Sequence, residues 1–161
     1  DAMSWVDLGA TVQDVAELYE PLAEENGLQL KVETEEGLMI WGNRELLSQA
    51  VANLLDNAIK HGLPEDADNE RTIEVSARTD TARAGRGAVL SVADRGPGIP
   101  PGERQHVLER FVRLEASRNT PGSGLGLSLV AAVARLHGGA IELGDNAPGL
   151  RVSLSLPVSG R

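Results

Sequence analysis

A chain of 161 residues with 41% apolar and 24% charged residues has enough material for one domain with its own core. Aromatics make up only 2%, so that core must be built from Leu, Val, Ile and Ala. A formal net charge of -9 argues against a general nucleic-acid or anionic-membrane surface, and the absence of cysteine excludes disulfides and thiolate metal sites.

Residues 11–26, "TVQDVAELYEPLAEEN", set Val12, Val15, Ala16, Tyr19 and Leu22 at helical spacing, with Gly27 as a stop and Pro21 as a point of expected kinking. "LQLKVET" alternates as a strand and "LMIW" makes a short second one. Asn43 is placed to cap a long helix running to Gly62, after which "LPEDADNE" reads as an acidic loop. "RTIEVSAR" and "AVLSVAD" predict two further strands, and "RGPGIPPGE" is dense in turn residues. "ERQHVLERFV" predicts a short helix, and residues 112–122 are polar and unpatterned. "SGLGLSLVAAVARLHGG" opens as a loop and continues as an apolar helix that stops at Gly138. "AIELGDNAPGLRVSLSLP" closes the chain as a hairpin that turns around 145–149. Strands and helices mix without strict βαβ alternation, which predicts a two-layer α/β sandwich on a mixed sheet.

Three features carry chemistry. In "ELLSQAVANLLDNAIKHG", Leu47, Val51, Leu54 and Ala58 form an apolar stripe, while Asn53, Asn57 and Lys60 share another at i, i+4, i+7, with Asp56 at its edge. Asn is a poor mid-helix residue, and amide oxygens suit a hard cation, whereas amide NH2 and ammonium groups suit phosphate oxygens. A solvated helix face is the plain alternative. Asp94 ends "AVLSVAD" and opens "DRGPGIP": a carboxylate there can accept from an exocyclic amine while Gly96, Gly98 and Ile99 offer close backbone to a flat ring. An ordinary Asp-Gly-Pro turn is the alternative for that stretch. Gly122, Gly124 and Gly126 precede or open the last helix, whose first-turn N–H groups can cradle phosphate without a Walker lysine. Lys60 would then supply the cation from another element, and Arg110, Arg113 and Arg118 lie in a polar segment able to close as a lid. A flexible, glycine-rich surface loop is the competing explanation.

The four motifs stand in one order. "NLLDNAIKHG" resembles an N box, "DRGPGIP" a G1 box, "ERFVR" an F box and "GSGLGLSLV" a G2 box. The sequence resembles the catalytic, ATP-binding domain of a bacterial sensor histidine kinase, in the superfamily shared with DNA gyrase, Hsp90 and MutL, over essentially the whole chain. The resemblance implies a Bergerat-type α/β sandwich, a mixed and mostly antiparallel sheet covered on one face by three helices. It implies ATP and Mg2+ as ligands. Asn57 should coordinate Mg2+, with Asn53 and Lys60 on phosphate oxygens and His61 near the nucleotide. Asp94 should accept from the adenine amine, flanked by Gly96, Gly98 and Ile99. Phe111 should anchor the lid hinge, Arg113 approach the γ-phosphate, and Gly122, Gly124, Leu125 and Gly126 wrap the phosphates. Asn43 stands where relatives often show Asp, a mild departure since both cap helices.

A kinase of this type phosphorylates a histidine in a box resembling "HELRTPL" on a helical hairpin domain, and nothing like it occurs in these residues. His61, His106 and His137 read as surface or ligand-adjacent histidines. Residues 1–161 are therefore expected to be one catalytic domain, monomeric by itself, that donates phosphate to a separate dimerisation and phosphoacceptor domain. A response regulator would then be served through the full-length kinase. Asn53 stands where the gyrase, Hsp90 and MutL branches resemble a Glu that activates water, so hydrolysis should be weak. The alternatives are a serine kinase of the anti-sigma-factor type and a nucleotide-binding pseudokinase acting as a regulatory module. No signal peptide or membrane-spanning run occurs, so a cytoplasmic setting is expected, with the parent protein free to be anchored in the inner membrane. The start at Asp1 rather than Met suggests a segment of something longer.

Overall fold

Val6 and Ile40 point inward from a small antiparallel ribbon, while Trp5 and Trp41 meet edge to face on its outer side with ring centroids 5.4 Å apart. The ribbon pairs β1 (Ser4–Asp7) with β3 (Met39–Gly42) as a two-stranded sheet separate from the main one. The structure, a computed structural model, describes residues 2–81, 87–104 and 125–157. Its main sheet contains β2 (Gln29–Thr34), β4 (Thr72–Thr79), β5 (Gly87–Ala93), β6 (Ala140–Asp145) and β7 (Leu150–Pro157), in the order β2-β4-β5-β7-β6. Among the described strands of this sheet, only the β2–β4 pair is parallel.

Period-two alternation decides which face is covered. Ile73, Val75 and Ala77 of β4, Leu90 and Val92 of β5, and Val152, Leu154 and Leu156 of β7 are buried in one core. The intervening positions are smaller or more polar, and Ser91 and Ser153 share a hydrogen bond of 2.9 Å across paired strands.

The helices α1 (Leu8–Glu25), α2 (Arg44–His61) and α3 (Leu125–Leu136) cover that core. α2 lies between the other two, touching α1 on one side and α3 on the other. The expected two-layer sandwich on a mixed, mostly antiparallel sheet is what forms. The expected short helix of "ERQHVLERFV" lies, from residue 105 on, outside the described residues; Pro101–Glu103 form a single 3-10 turn.

Caps set the helix starts. Asn43 Oδ1 accepts from the Leu46 N–H at 3.0 Å, and Gly62 follows the last turn of α2, so this helix has the limits its sequence predicts. α1 begins three residues before the predicted Thr11, because Asp7 Oδ1 takes the Ala10 N–H at 3.0 Å and makes Leu8 the first helical residue. Pro21 sits inside α1, which continues to Glu25.

His137 is not a surface group. It is 5% exposed and ties two helices together: its Nε2 accepts from the Asn43 N–H at 3.0 Å, and its Nδ1–H donates to the Val133 carbonyl at 2.8 Å. The end of α3 is thereby hydrogen-bonded to the cap of α2.

Candidate functional site

The site begins with the C-terminal half of α2. Leu47, Val51, Leu54, Leu55 and Ala58 face the core, and this fixes the rotation of the helix. Asn53 and Asn57 are consequently half-buried on a second line, with Lys60 exposed one turn further on. Lys60 Nζ pairs with Asp56 at 3.1 Å. Tyr19 of α1 packs beside that pair; burial pushes its phenol up first and the Asp56 carboxylate second, with Lys60 opposing.

The opening turn of α3 lies against Asn53. A methyl added at Gly126 would stand 3.4 Å from the Asn53 Cβ and 3.6 Å from its carbonyl oxygen. The first turn of α3 thus abuts Asn53 on the line it shares with Asn57. For Leu125 the structure gives only its backbone place as first residue of α3. Phe111, Arg113, Gly122 and Gly124 lie outside the described residues, as do Arg110, Arg118 and His106.

Asp94, directly after β5, is 4% exposed and abuts the other end of α2. A Cβ on Gly62 would lie 2.7 Å from that of Asp94. Asp94 Oδ1 accepts from the Gly96 N–H at 2.9 Å and from the Leu150 N–H at 3.2 Å. Its Oδ2 has no hydrogen-bond partner among the described residues. Burial pushes the carboxyl above the ordinary Asp range, opposed by the two backbone N–H groups and then by His61. His61, exposed at the end of α2, is thus an electrostatic neighbour of Asp94.

Two glycines make this geometry possible. Gly96 passes so close to α2 that a Cβ would strike the His61 carbonyl oxygen. Gly98 has φ 76°, and a Cβ there would come within 2.9 Å of the Gly149 carbonyl oxygen. Ile99 is partly buried against the core, and its carbonyl accepts from Arg104 Nε at 3.0 Å.

Asn53, Asn57, Lys60 and His61 therefore lie along α2, with Gly126 against Asn53 and with Asp94 and Gly96 against its C-terminal end; Gly98 and Ile99 follow in the same turn, Gly98 against Gly149. Local patterning had no means of finding the β6–β7 turn behind Asp94, where Leu150 and Asn146 bond it from more than fifty residues away. The one available signal was the turn reading of 145–149 itself.

The arrangement can hold a flat heterocycle with an exocyclic amine against Asp94 and anionic groups beside Asn53, Lys60 and the start of α3. A buried carboxylate with one oxygen fixed and one spare fits an amine donor.

Residues 42–160 match the family model described as histidine kinase-, DNA gyrase B- and HSP90-like ATPase. A signal transduction histidine-protein kinase/phosphatase MprB of Mycolicibacterium smegmatis is 42% identical over 126 residues, 75% of this chain and 24% of that protein. The chain thus spans about a quarter of the length of that curated relative. Among solved structures, a mycobacterial sensor histidine kinase MprB superposes with a TM-score of 0.74 at 33% identity, covering 97% of both chains. A full-length ShkA in complex with AMPPNP superposes with a TM-score of 0.77 at 30% identity, over 97% of this chain and 31% of that one.

Proposed function

The chain belongs to the family of histidine kinase-, DNA gyrase B- and HSP90-like ATPases, and from that premise we propose that it binds Mg-ATP and donates the γ-phosphate to a histidine on a separate phosphoacceptor domain, in two-component signal transduction. The observation that carries this reading is Asp94: a buried carboxylate held at Oδ1 by two backbone N–H groups, with no partner at Oδ2 among the described residues. The AMPPNP bound to ShkA supports an adenine nucleotide as the ligand class.

Asp94 Oδ2 accepts from the adenine amine, and the close backbone of Gly96, Gly98 and Ile99 flanks the ring. Asn53 and Lys60 contact phosphate oxygens next to the N-terminus of α3, where Leu125 and Gly126 contribute backbone. Asn57 offers its amide oxygen to Mg2+. Among the described residues, no three His, Cys, Asp or Glu side chains converge on a metal position, so the ion would draw on Asn57 and on the phosphates themselves. When bound, Mg2+ neutralises charge that develops on the phosphoryl oxygens. Arg113, Phe111, Gly122 and Gly124 are assigned by resemblance to the γ-phosphate, the lid hinge and the phosphate loop.

The protein's part is orientation and charge compensation, since phosphoryl transfer asks for little covalent chemistry from side chains. Asn53 has no carboxylate to activate water, which preserves ATP for transfer. Residues 1–161 act as one catalytic domain, and the histidine and the base that activates it belong to the partner domain. The relatives' greater length leaves room for such domains, and a response regulator would be the downstream partner. None of the helices described is long and apolar enough to cross a membrane, and a cytoplasmic position is the setting in which ATP is available.

Mixing the chain with a histidine-bearing helical domain from its longer relatives and γ-labelled ATP tests this. Acid-labile label on that domain is expected. Acid-stable label would indicate a serine kinase, and nucleotide binding without transfer a regulatory module; either contradicts the reading.

A further inference from the structure

Asp94 is held by three residues, two of which, Asn146 and Leu150, lie outside the four boxes. Its N–H donates to the Leu150 carbonyl at 3.0 Å, its Oδ1 takes the Gly96 and Leu150 N–H groups, and its carbonyl accepts from Asn146 Nδ2 at 2.7 Å. Asn146 is itself immobilised. Its N–H donates to the Gly149 carbonyl at 3.1 Å, and its Oδ1 accepts from Arg151 at 3.1 Å. Its carbonyl also accepts from Arg95 at 3.4 Å. The side chain thus spans from the β6–β7 turn to the Asp94 main chain, with both ends of its amide used.

A turn needs no such link for its own closure, because the Asn146–Gly149 bond already closes it. The Nδ2 bond does something different: it fixes the peptide plane that follows Asp94. With the backbone fixed on both sides of this residue and Oδ1 pinned, the direction of Oδ2 is determined.

We propose that Asn146 is a positioning residue for base recognition, which aims Asp94 Oδ2 at the exocyclic amine of adenine and so sets selectivity for adenine over 6-oxo purines. The inference rests on the reading of Asp94 as the adenine acceptor. A 6-oxo purine presents an acceptor where adenine presents a donor, so a rigid carboxylate repels it. A carboxylate free to swing discriminates less.

Asn146→Asp keeps the size of the side chain and an acceptor for Arg151, but removes the donor to Asp94. Asn146→Ser shortens the side chain at an otherwise exposed turn. Calorimetry with Mg-ATP and Mg-ITP, well below the melting temperature, gives the ratio of the two affinities in the folded protein. A role confined to stabilising the turn would lower the melting temperature and leave that ratio alone. Both variants are expected to reduce the ratio about tenfold, the loss of roughly one well-aligned hydrogen bond. Asp94→Asn serves as the control for the reading beneath. If Asp94→Asn collapses the ratio and the Asn146 variants keep it, the role of Asn146 is overturned and the adenine assignment stands. If Asp94→Asn leaves the ratio unchanged, both fall. A measurement on the unaltered protein is independent of folding: the NMR shift of the Asn146 side-chain amide is expected to move on adding Mg-ATP and much less on adding Mg-ITP. Equal movement with both would overturn the proposal.

Discussion

Lys60 Nζ lies 3.1 Å from a carboxylate oxygen of Asp56, one turn earlier on the same helix. The two side chains are 43% and 37% exposed, so the pair contributes at most about 1 kcal/mol to stability. Its consequence is for binding: on the proposed reading, Lys60 exchanges the Asp56 carboxylate oxygen for a phosphate oxygen. Asp56→Asn is expected to raise ATP affinity about two- to fivefold at low salt with little change in stability, and Lys60→Met to lower it about tenfold. Calorimetry reads both. Weaker binding by Asp56→Asn would mean that Asp56 holds Lys60 in its productive place instead.

Acidification should weaken nucleotide binding earlier than an ordinary carboxylate would allow. Burial raises the Asp94 carboxyl above the usual range, and on the proposed reading the ionised form is the stronger acceptor for the adenine amine, whereas protonation adds a donor that faces it. ATP affinity is therefore expected to be greatest near neutrality and to fall as pH drops through that raised value. The stability term runs the other way. A proton held more tightly in the folded state favours folding below the ordinary Asp value, and that contribution is lost as pH rises through the raised one. Asp94→Asn should flatten both dependences. ATP titrations and urea unfolding across the acid range check the two signs separately.

His137 predicts a purely structural loss. His137→Ala would remove both of its hydrogen bonds, leave the Asn43 N–H unpaired at the start of α2 and open a void near Gly42 and Leu47. A destabilisation of about 2–4 kcal/mol is expected in urea unfolding. A cost under about 0.5 kcal/mol would show that the bond between α2 and α3 is dispensable.

Sequence and structure agree where the determinants are local. Asn43 and Gly62 bound α2 as their chemistry predicts, and periodicity alone places Asn53, Asn57 and Lys60 on one line. β1 escapes notice because a four-residue strand with Trp5 turned outward has no alternation to read, and its partner β3 is more than thirty residues away. The start of α1 is hidden for a related reason: Gly9 weakens the helical pattern that Asp7 in fact caps. His137 looks like an ordinary end-of-helix residue until Asn43 is brought against it. The same limit conceals Asn146 and Leu150, whose value lies entirely in pairing with Asp94 across the sheet.

Gly96→Ala should be far more damaging than an ordinary turn substitution, because the added methyl meets the His61 carbonyl oxygen at the end of α2. A loss of about 1–3 kcal/mol in unfolding free energy is expected, together with weaker ATP binding by the folded fraction. A fully stable Gly96→Ala with unchanged affinity would mean that the Asp94 turn and α2 are not tightly apposed.

The chain alone should release phosphate from Mg-ATP only slowly, since Asn53 offers no base for water. A malachite-green assay on the purified chain tests this, and substantial magnesium-dependent turnover would contradict it.

The most direct test of the account is calorimetric titration with a non-hydrolysable ATP analogue and Mg2+, comparing the unaltered chain with Asp94→Asn and Asn57→Ala. Each substitution should weaken binding by about tenfold or more, and Asn57→Ala should also blunt the dependence on Mg2+. Unchanged affinity in both variants would contradict the assignment of this site to ATP.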